Sequence, residues 1–301
     1  MKRLTFIFVL SAILLCLASC KRMELHVPTS SIYVKFNIER NLGVEDYRQK
    51  YQVIKLSFYD IENHVICHED FISVNGGFMN VKPGVYDVIF QTFGSDVTMI
   101  GNPHERATSY AYTSSSGRAG TINSPNHLFV GRAQNLAVQI YSKSEGARIM
   151  EVDMTTIVET YTIEFKKVSG CDNISSAKLY VPGQVPYRYL WDGRKPNSEC
   201  SVAVPLQIDV ENNKMFAEFN TFGRVNGANI LVKTELEIKT KDGYSYNFTC
   251  DITDQFDNPD NTEHKIIIDN TVIIPEAGDT GTSFNPEIKD WDDEITHIPL
   301  Q

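Results

Sequence analysis

The sequence predicts an all-β protein built from antiparallel sandwiches, and three observations predict it. Apolar and polar residues alternate with period two in many short runs, the pattern of strands with one dry and one wet face. Turn signals separate the runs: Asn75-Gly76-Gly77, Pro83-Gly84, Asn226-Gly227 and Asp242-Gly243. No stretch holds a helical period beyond two turns, "GVEDYRQKY" coming nearest. Short strands at this spacing pack as sandwiches.

The amino end is the exception to the strand pattern. "MKRLTFIFVLSAILLCLASC" has Lys2 and Arg3, an apolar core from Leu4 to Leu17, and small residues before Cys20. This is the plan of a secretory signal peptide, and the apolar part falls short of the about 20 residues a membrane span needs. Leu17-Ala18-Ser19-Cys20 resembles the bacterial lipobox, in which the cysteine thiol is acylated and becomes the new first residue. Residues 1–19 are therefore expected to be removed as a lipoprotein signal peptide. Residues 20–30 are then a lipidated tether, with outer-membrane lipid as the partner of Cys20.

The mature chain opens with "SIYVKFNIE", where Ile32, Val34, Phe36 and Ile38 share a face. "YQVIKLSFYD" follows with Ile54, Leu56 and Phe58, then "VYDVIFQTF" with Tyr86, Val88 and Phe90. Pro83 fixes φ and Gly84 permits positive φ, so a tight turn is expected before that strand. "LAVQIY" continues the series with Leu136, Val138 and Ile140. Beyond a hinge near Lys143 to Gly146 the pattern resumes in "TYTIEFKKV", "SVAVPLQI", "ILVKTELEI" and "YSYNFTC". A division between Gly146 and Asp153 gives an N-terminal sandwich at 31–148 and a C-terminal one at 149–275. Residues 101–126, rich in Gly, Ser, Thr, Asn and Pro, form a long loop of the functional or mobile kind. Residues 276–301 are a polar linker and an acidic end carrying Trp291, expected to close the second sandwich as an edge strand or to dock on a partner.

Composition narrows the function. The 301-residue chain has formal charge −10 and 42% hydrophobic residues. An acidic globular surface argues against nucleic acid as a partner. Apart from Cys16 and Cys20, four cysteines remain: Cys67, Cys171, Cys200 and Cys250. An exported chain permits disulfides, and Cys171 with Cys200, both in polar, turn-like surroundings, is the first candidate pair. No catalytic motif emerges. His68-Glu69 and His104-Glu105 lack the second His that a zinc-protease helix places three residues after its Glu, and no G-x-S-x-G elbow is present. The acids Asp251, Asp254, Asp257, Asp260 and Glu263 lack EF-hand spacing and read as a solvated loop. A non-enzymatic protein without metal or cofactor is expected. Tyr187, Tyr189 and Trp191 alternate, so one strand face would carry all three rings, half-buried or open to a glycan or protein partner.

The run "FYDIENHVICHEDFISVNGGFMNVKPGVYDVIFQTFGSD", with the lipobox, "ATSYAYT" and the terminal "FNPEIKDWDDEITHIPL", resembles the Bacteroidetes fimbrillin-related lipoproteins. That family includes fimbrial anchor and accessory proteins. The resemblance implies two tandem transthyretin-like β-sandwiches on an outer-membrane lipid anchor at the cell surface, with other fimbrial subunits bound by β-strand addition. The alternative class is a glycan-binding surface lipoprotein of a polysaccharide-uptake system.

Overall fold

Alternation in the first run sets the first sandwich. In a computed structural model, which describes residues 30–38, 51–226 and 230–274, β1 (Ile32–Ile38) buries Ile32, Val34, Phe36 and Ile38 and turns Lys35 and Asn37 outward. Facing it are β2 (Val53–Asp60), with Ile54, Leu56 and Phe58 fully buried, and β5 (Gly84–Phe93), with Val88 and Phe90. Each such side chain contributes roughly 1.5–3 kcal/mol on burial. With β3 (Ile66–Ser73), β4 (Gly77–Phe78), β9 (Phe129–Val138) and β10 (Arg148–Thr156) they follow the order β3-β2-β5-β9-β10-β1-β4. β9 and β10 pair only through Val130–Thr155 and Phe129–Thr156, so the path folds over at that corner into two facing layers.

The second sandwich uses β11 (Glu159–Ser169), β12 (Ile174–Gln184), β14 (Cys200–Asp209), β15 (Lys214–Thr221), β16 (Lys233–Thr240), β17 (Ser245–Asp251) and β18 (Lys265–Ile273). Their order is β17-β16-β12-β14-β15-β11-β18. β14 pairs with β12 through Leu206 and with β15 from Gln207 on, and so passes from one layer to the other. Its core holds Phe165, Leu179, Val202, Met215, Phe219, Leu236, Ile238 and Ile266. The all-β expectation holds, but the pairing is not wholly antiparallel. β1 runs parallel to β10, and β11 parallel to β18.

The chain crosses between sandwiches later than periodicity placed it. β10 joins β1 residue by residue from Ile32–Arg148 to Ile38–Met154, so it belongs to the first sandwich, and the crossover is at Ile157-Val158. Periodicity reports which face a strand buries, not which sheet it enters. The long loop is likewise not open. It contains β6 (Thr98–Gly101) at its start, then β7 (Tyr110–Thr113) and β8 (Thr121–Asn123). β8 pairs in parallel with β14 of the second sandwich. β7 sits between β6 and β13 (Tyr187–Tyr189), a strand from the second half.

That three-stranded sheet covers a third core at the seam. Tyr59, Ile89, Leu128 and Val130 meet Ala111, Ile157, Val158, Val185, Leu190 and Phe222 there, all buried. Arg106 adds a polar pin. Its guanidinium is paired with the buried Asp87 of β5 and lies 4.2 Å over the ring of Trp191. Farther along the loop, Arg118 bonds Glu235 at 2.6 Å and stacks 4.4 Å over Tyr180.

Two local expectations change. Gly84 is not among the positive-φ residues; a Cβ there would strike the Tyr86 ring, whose hydroxyl donates to the Lys82 carbonyl at 3.0 Å. Glycine is thus present for room. Ile140 is not a core residue, because β9 ends at Val138 and Ile140 is 71% exposed. "GVEDYRQKY", apart from Tyr51, lies outside the described residues.

Phe222 is fully buried in the seam. Phe222→Ala should cost about 3–5 kcal/mol, typical for a buried Phe. Because the seam joins the halves, denaturant unfolding should move as one transition; two separated transitions would show that the sandwiches unfold independently.

Candidate partner interface

The seam sheet has two unlike faces. Thr98, Ala111 and Thr113 point inward and are buried. The other face carries Met99, Tyr110, Tyr112, Tyr187 and Tyr189, with Tyr112 opposite Tyr187 and Tyr110 opposite Tyr189 across the ladder. Tyr110 and Tyr187 are 4.7 Å apart between ring centroids, and Tyr187 and Tyr189 5.4 Å. Tyr110 also lies over Gly101, where any side chain would displace it. Arg194 caps the cluster 3.9 Å over the Tyr189 ring. A hydrogen bond with Tyr189, helped by burial, pushes the Tyr187 hydroxyl above the ordinary phenol range.

Tyr187 and Tyr189 thus share a half-buried face, as their spacing implied, but Trp191 does not join them. β13 ends at Tyr189, Leu190 turns into the seam, and the Gly193 N–H closes a turn on the Tyr189 carbonyl at 3.2 Å. Trp191 packs on the seam core beneath Arg106. Tyr110 and Tyr112 were missed because they sit in the segment read as loop. The alternation in "SYAYT" was the available signal. Trp291 and Cys20 lie outside the described residues.

The candidate disulfide does not form. All four described cysteines are free. Cys200 is the register partner of Gln184 at one end of β12, while Cys171 precedes Ile174 at the other end. The strand between them separates the pair by about 30 Å, and a disulfide needs Cα atoms within about 7 Å. Burial pushes the Cys171 thiol up, and the Cys200 and Cys250 thiols up to about 12.

His68 and His104 serve the fold. His68 Nε2 meets the Asn80 carbonyl at 2.6 Å, and the His104 carbonyl accepts the Ile66 N–H at 2.8 Å. Among the described residues no three His, Cys, Asp or Glu side chains converge as metal ligands. Nor is any described helix long and apolar enough to cross a membrane.

Sheet edges matter most for a partner that adds a strand, and three long strands stand at edges. β3 is charged through Glu69 and Asp70; its first N–H, at Ile66, is taken by the His104 carbonyl, and the Asp70 carboxylate occupies part of the edge by accepting the Phe71 N–H at 2.9 Å and the Asn80 N–H at 2.6 Å. β18 is sealed by two amide side chains that imitate a neighbouring strand. Asn261 receives the Lys265 N–H at 2.9 Å and donates to its carbonyl at 3.0 Å, while Gln255 does the same for Ile267 at 2.7 and 2.8 Å. Such covering is the usual protection against edge pairing. Nothing in the spacing of Gln255 and Asn261 announced it.

β17 lacks it. The Ile252 N–H bonds the Val232 carbonyl and the Thr240 N–H the Tyr244 carbonyl, which fixes the alternation of the β16–β17 ladder. Asn247 and Thr249 therefore turn their N–H and C=O groups away from β16. No bond from another described residue reaches them. From Ser245 to Cys250 the strand carries no charge, and Tyr246 and Cys250 are only partly covered at the rim of the core.

Comparison with known proteins gives this edge a setting. The family profile described as "Fimbrillin-A associated anchor proteins Mfa1 and Mfa2" matches residues 24–296. A Bacteroides ovatus protein named "Putative fimbrium anchoring subunit Fim4B" is 25% identical over 290 residues, spanning 93% of this chain and 82% of its own. In fold alone, the chain is similar to two crystal structures of Bacteroides ovatus proteins, each described as "a putative adhesin". The first has TM-score 0.57 and 17% identity, over 85% of this chain and 99% of the other. The second has TM-score 0.52 and 11% identity, over 83% and 90%.

Thiol labelling tests the cysteine assignment: Cys67 should react in the native protein, and Cys171 and Cys200 only after unfolding. A Cys171–Cys200 bridge by mass spectrometry would contradict it. With the profile covering residues 24–296 of 301, the protein belongs to the family of fimbrillin-A associated anchor proteins.

Proposed function

We propose that this chain is a fimbrial anchor or accessory subunit, held at the outer membrane by acylated Cys20, that accepts an extended strand of another fimbrial subunit along β17. Family membership supports the fimbrial role, and the uncovered, uncharged edge of β17 supports the mode of binding. In strand addition, main-chain hydrogen bonds supply affinity and alternating side chains supply register. Asn247 and Thr249 would provide the main-chain groups. Tyr246 and Cys250 would lie beside the incoming side chains.

Proline at an outward position separates the edge from the fold. Thr249→Pro removes an N–H that points away from β16, a place where edge strands tolerate proline. It should leave thermal unfolding nearly unchanged and abolish co-purification with fimbrial subunits. The intramolecular rival is the chain's own 286–301 segment. If Thr249→Pro and deletion of 286–301 lower thermal stability alike, the edge belongs to the tail and the acceptor reading fails. For the anchor, Cys20→Ser should move the protein from the membrane to the soluble fraction; continued sedimentation with outer membranes would refute lipidation at Cys20.

The tyrosine face favours a second reading, glycan binding. Its rings are inclined to one another by 42° for Tyr110–Tyr187 and 84° for Tyr187–Tyr189, so they offer edges and hydroxyls rather than a flat stacking platform. That ranks it behind the strand acceptor. Binding on a glycan array that Tyr187→Ala and Tyr189→Ala remove would reverse the order.

A further inference from the structure

The end of the first sandwich where β1 begins carries an apolar patch that the fold leaves partly exposed. Tyr33 points outward from β1, with Phe78 of β4 edge-on at 5.2 Å and Tyr141 5.8 Å beyond Phe78. Ile149 is the register partner of Tyr33 on β10 and is 57% exposed. Ile140, next to Tyr141, is 71% exposed. The turns beside the patch, 79–84 and 139–148, carry Lys82, Lys143 and Arg148 against the single acid Glu145. On a chain of net charge −10 this is a local reversal of sign.

Contiguous exposed apolar side chains mark interaction surfaces. Two observations identify the occupant. The first is position: Ser30, three residues before Tyr33, is roughly ten residues from Cys20, a stretch that reaches at most about 35 Å when extended. The second is chemistry. Tyrosines with apolar bodies and polar tips, bordered by Lys and Arg, suit the headgroup layer of a bilayer, where anionic lipids attract the cations. The geometry points to a foot that rests on the membrane, with Tyr33, Phe78, Ile140, Tyr141 and Ile149 entering the headgroup region.

This inference rests on the Cys20 anchor proposed above and adds an orientation to it. Two or more acyl chains already hold a protein to a bilayer; a tether alone would let the body tumble. β10 runs from the foot at Arg148 to the crossover at Ile157-Val158. Seating the foot would therefore stand β10 on its starting end and carry the crossover away from the lipid.

The test uses the full lipidated protein on vesicles of phosphatidylethanolamine and phosphatidylglycerol containing spin-labelled lipid. In a Cys67→Ser background, an environment-sensitive fluorophore is placed at Ile149→Cys or, as control, at Val210→Cys, an exposed position at the β14–β15 turn. Cys250, only partly covered, is likewise changed to Ser, and the Cys171 and Cys200 thiols are held back by burial. Quenching and a blue shift several-fold larger at position 149 than at 210 are expected, and Ile140→Asp should reduce them. Failure to sediment with the vesicles would refute the anchor itself. Sedimentation with equal quenching at both positions, or with none at 149, would leave the anchor intact and overturn the foot.

Discussion

The structure depends on how the seam between the two sandwiches is filled. Each sandwich has its own core, but Phe222, Val185 and Leu190 from one side and Tyr59, Ile89 and Val130 from the other are buried together in a third core, against which a third sheet packs. The chain supplies that sheet by sending 98–113 across the joint and returning 187–189 to meet it. Ala111 is the fully buried apolar residue that this sheet contributes to the core of Tyr59, Ile89 and Leu190. Close packing of this kind resists hinge motion, since any rotation opens voids. The tyrosine face is the outer side of this same layer, which explains its placement at the joint.

Polar contacts at the joint are fewer but specific. The buried Asp87 carboxylate takes the Arg106 guanidinium and also accepts the Asn135 N–H at 2.9 Å. A buried charge without such partners would cost several kcal/mol, so the loop carrying Arg106 is confined to one place. Asn220 reinforces the second crossing: its N–H bonds the Ser124 hydroxyl at 2.8 Å and its side chain the Pro125 carbonyl at 2.9 Å. These contacts hold β8 beside β14 and turn a composition typical of a loop into an ordered strap.

What was legible beforehand was mostly local. The face of β1 followed directly from alternation, because a half-buried strand must bury every second residue; in β2 and β5 alternation found the sandwich-facing side but not Tyr59 and Ile89, which the seam buries on the other. The pairing of Tyr187 with Tyr189 was visible for the same reason, and the family signature around Pro83-Gly84-Val85-Tyr86 was legible although its glycine serves another purpose. What failed was non-local. β10 reads as a strand but nothing in it names β1 as its neighbour; Cys171 and Cys200 look alike in sequence yet sit at opposite ends of β12. Ile140 continues an alternation that the backbone had already abandoned. The amide seal on β18 depends on two side chains reaching back to a strand, and periodicity carries no trace of it.

The parallel pairing of β1 with β10 has a mechanical consequence for a protein that is tethered at one end and gripped at the other. Under the anchoring role proposed above, tension would enter at the start of β1 and leave at the finish of β10. Parallel strands pulled from opposite ends are loaded in shear, so the bonds along the ladder from Ile32–Arg148 to Ile38–Met154 share the force together. An antiparallel pair pulled from adjacent ends would instead unzip one bond at a time. The first sandwich therefore places its load along the direction in which a sheet is hardest to tear.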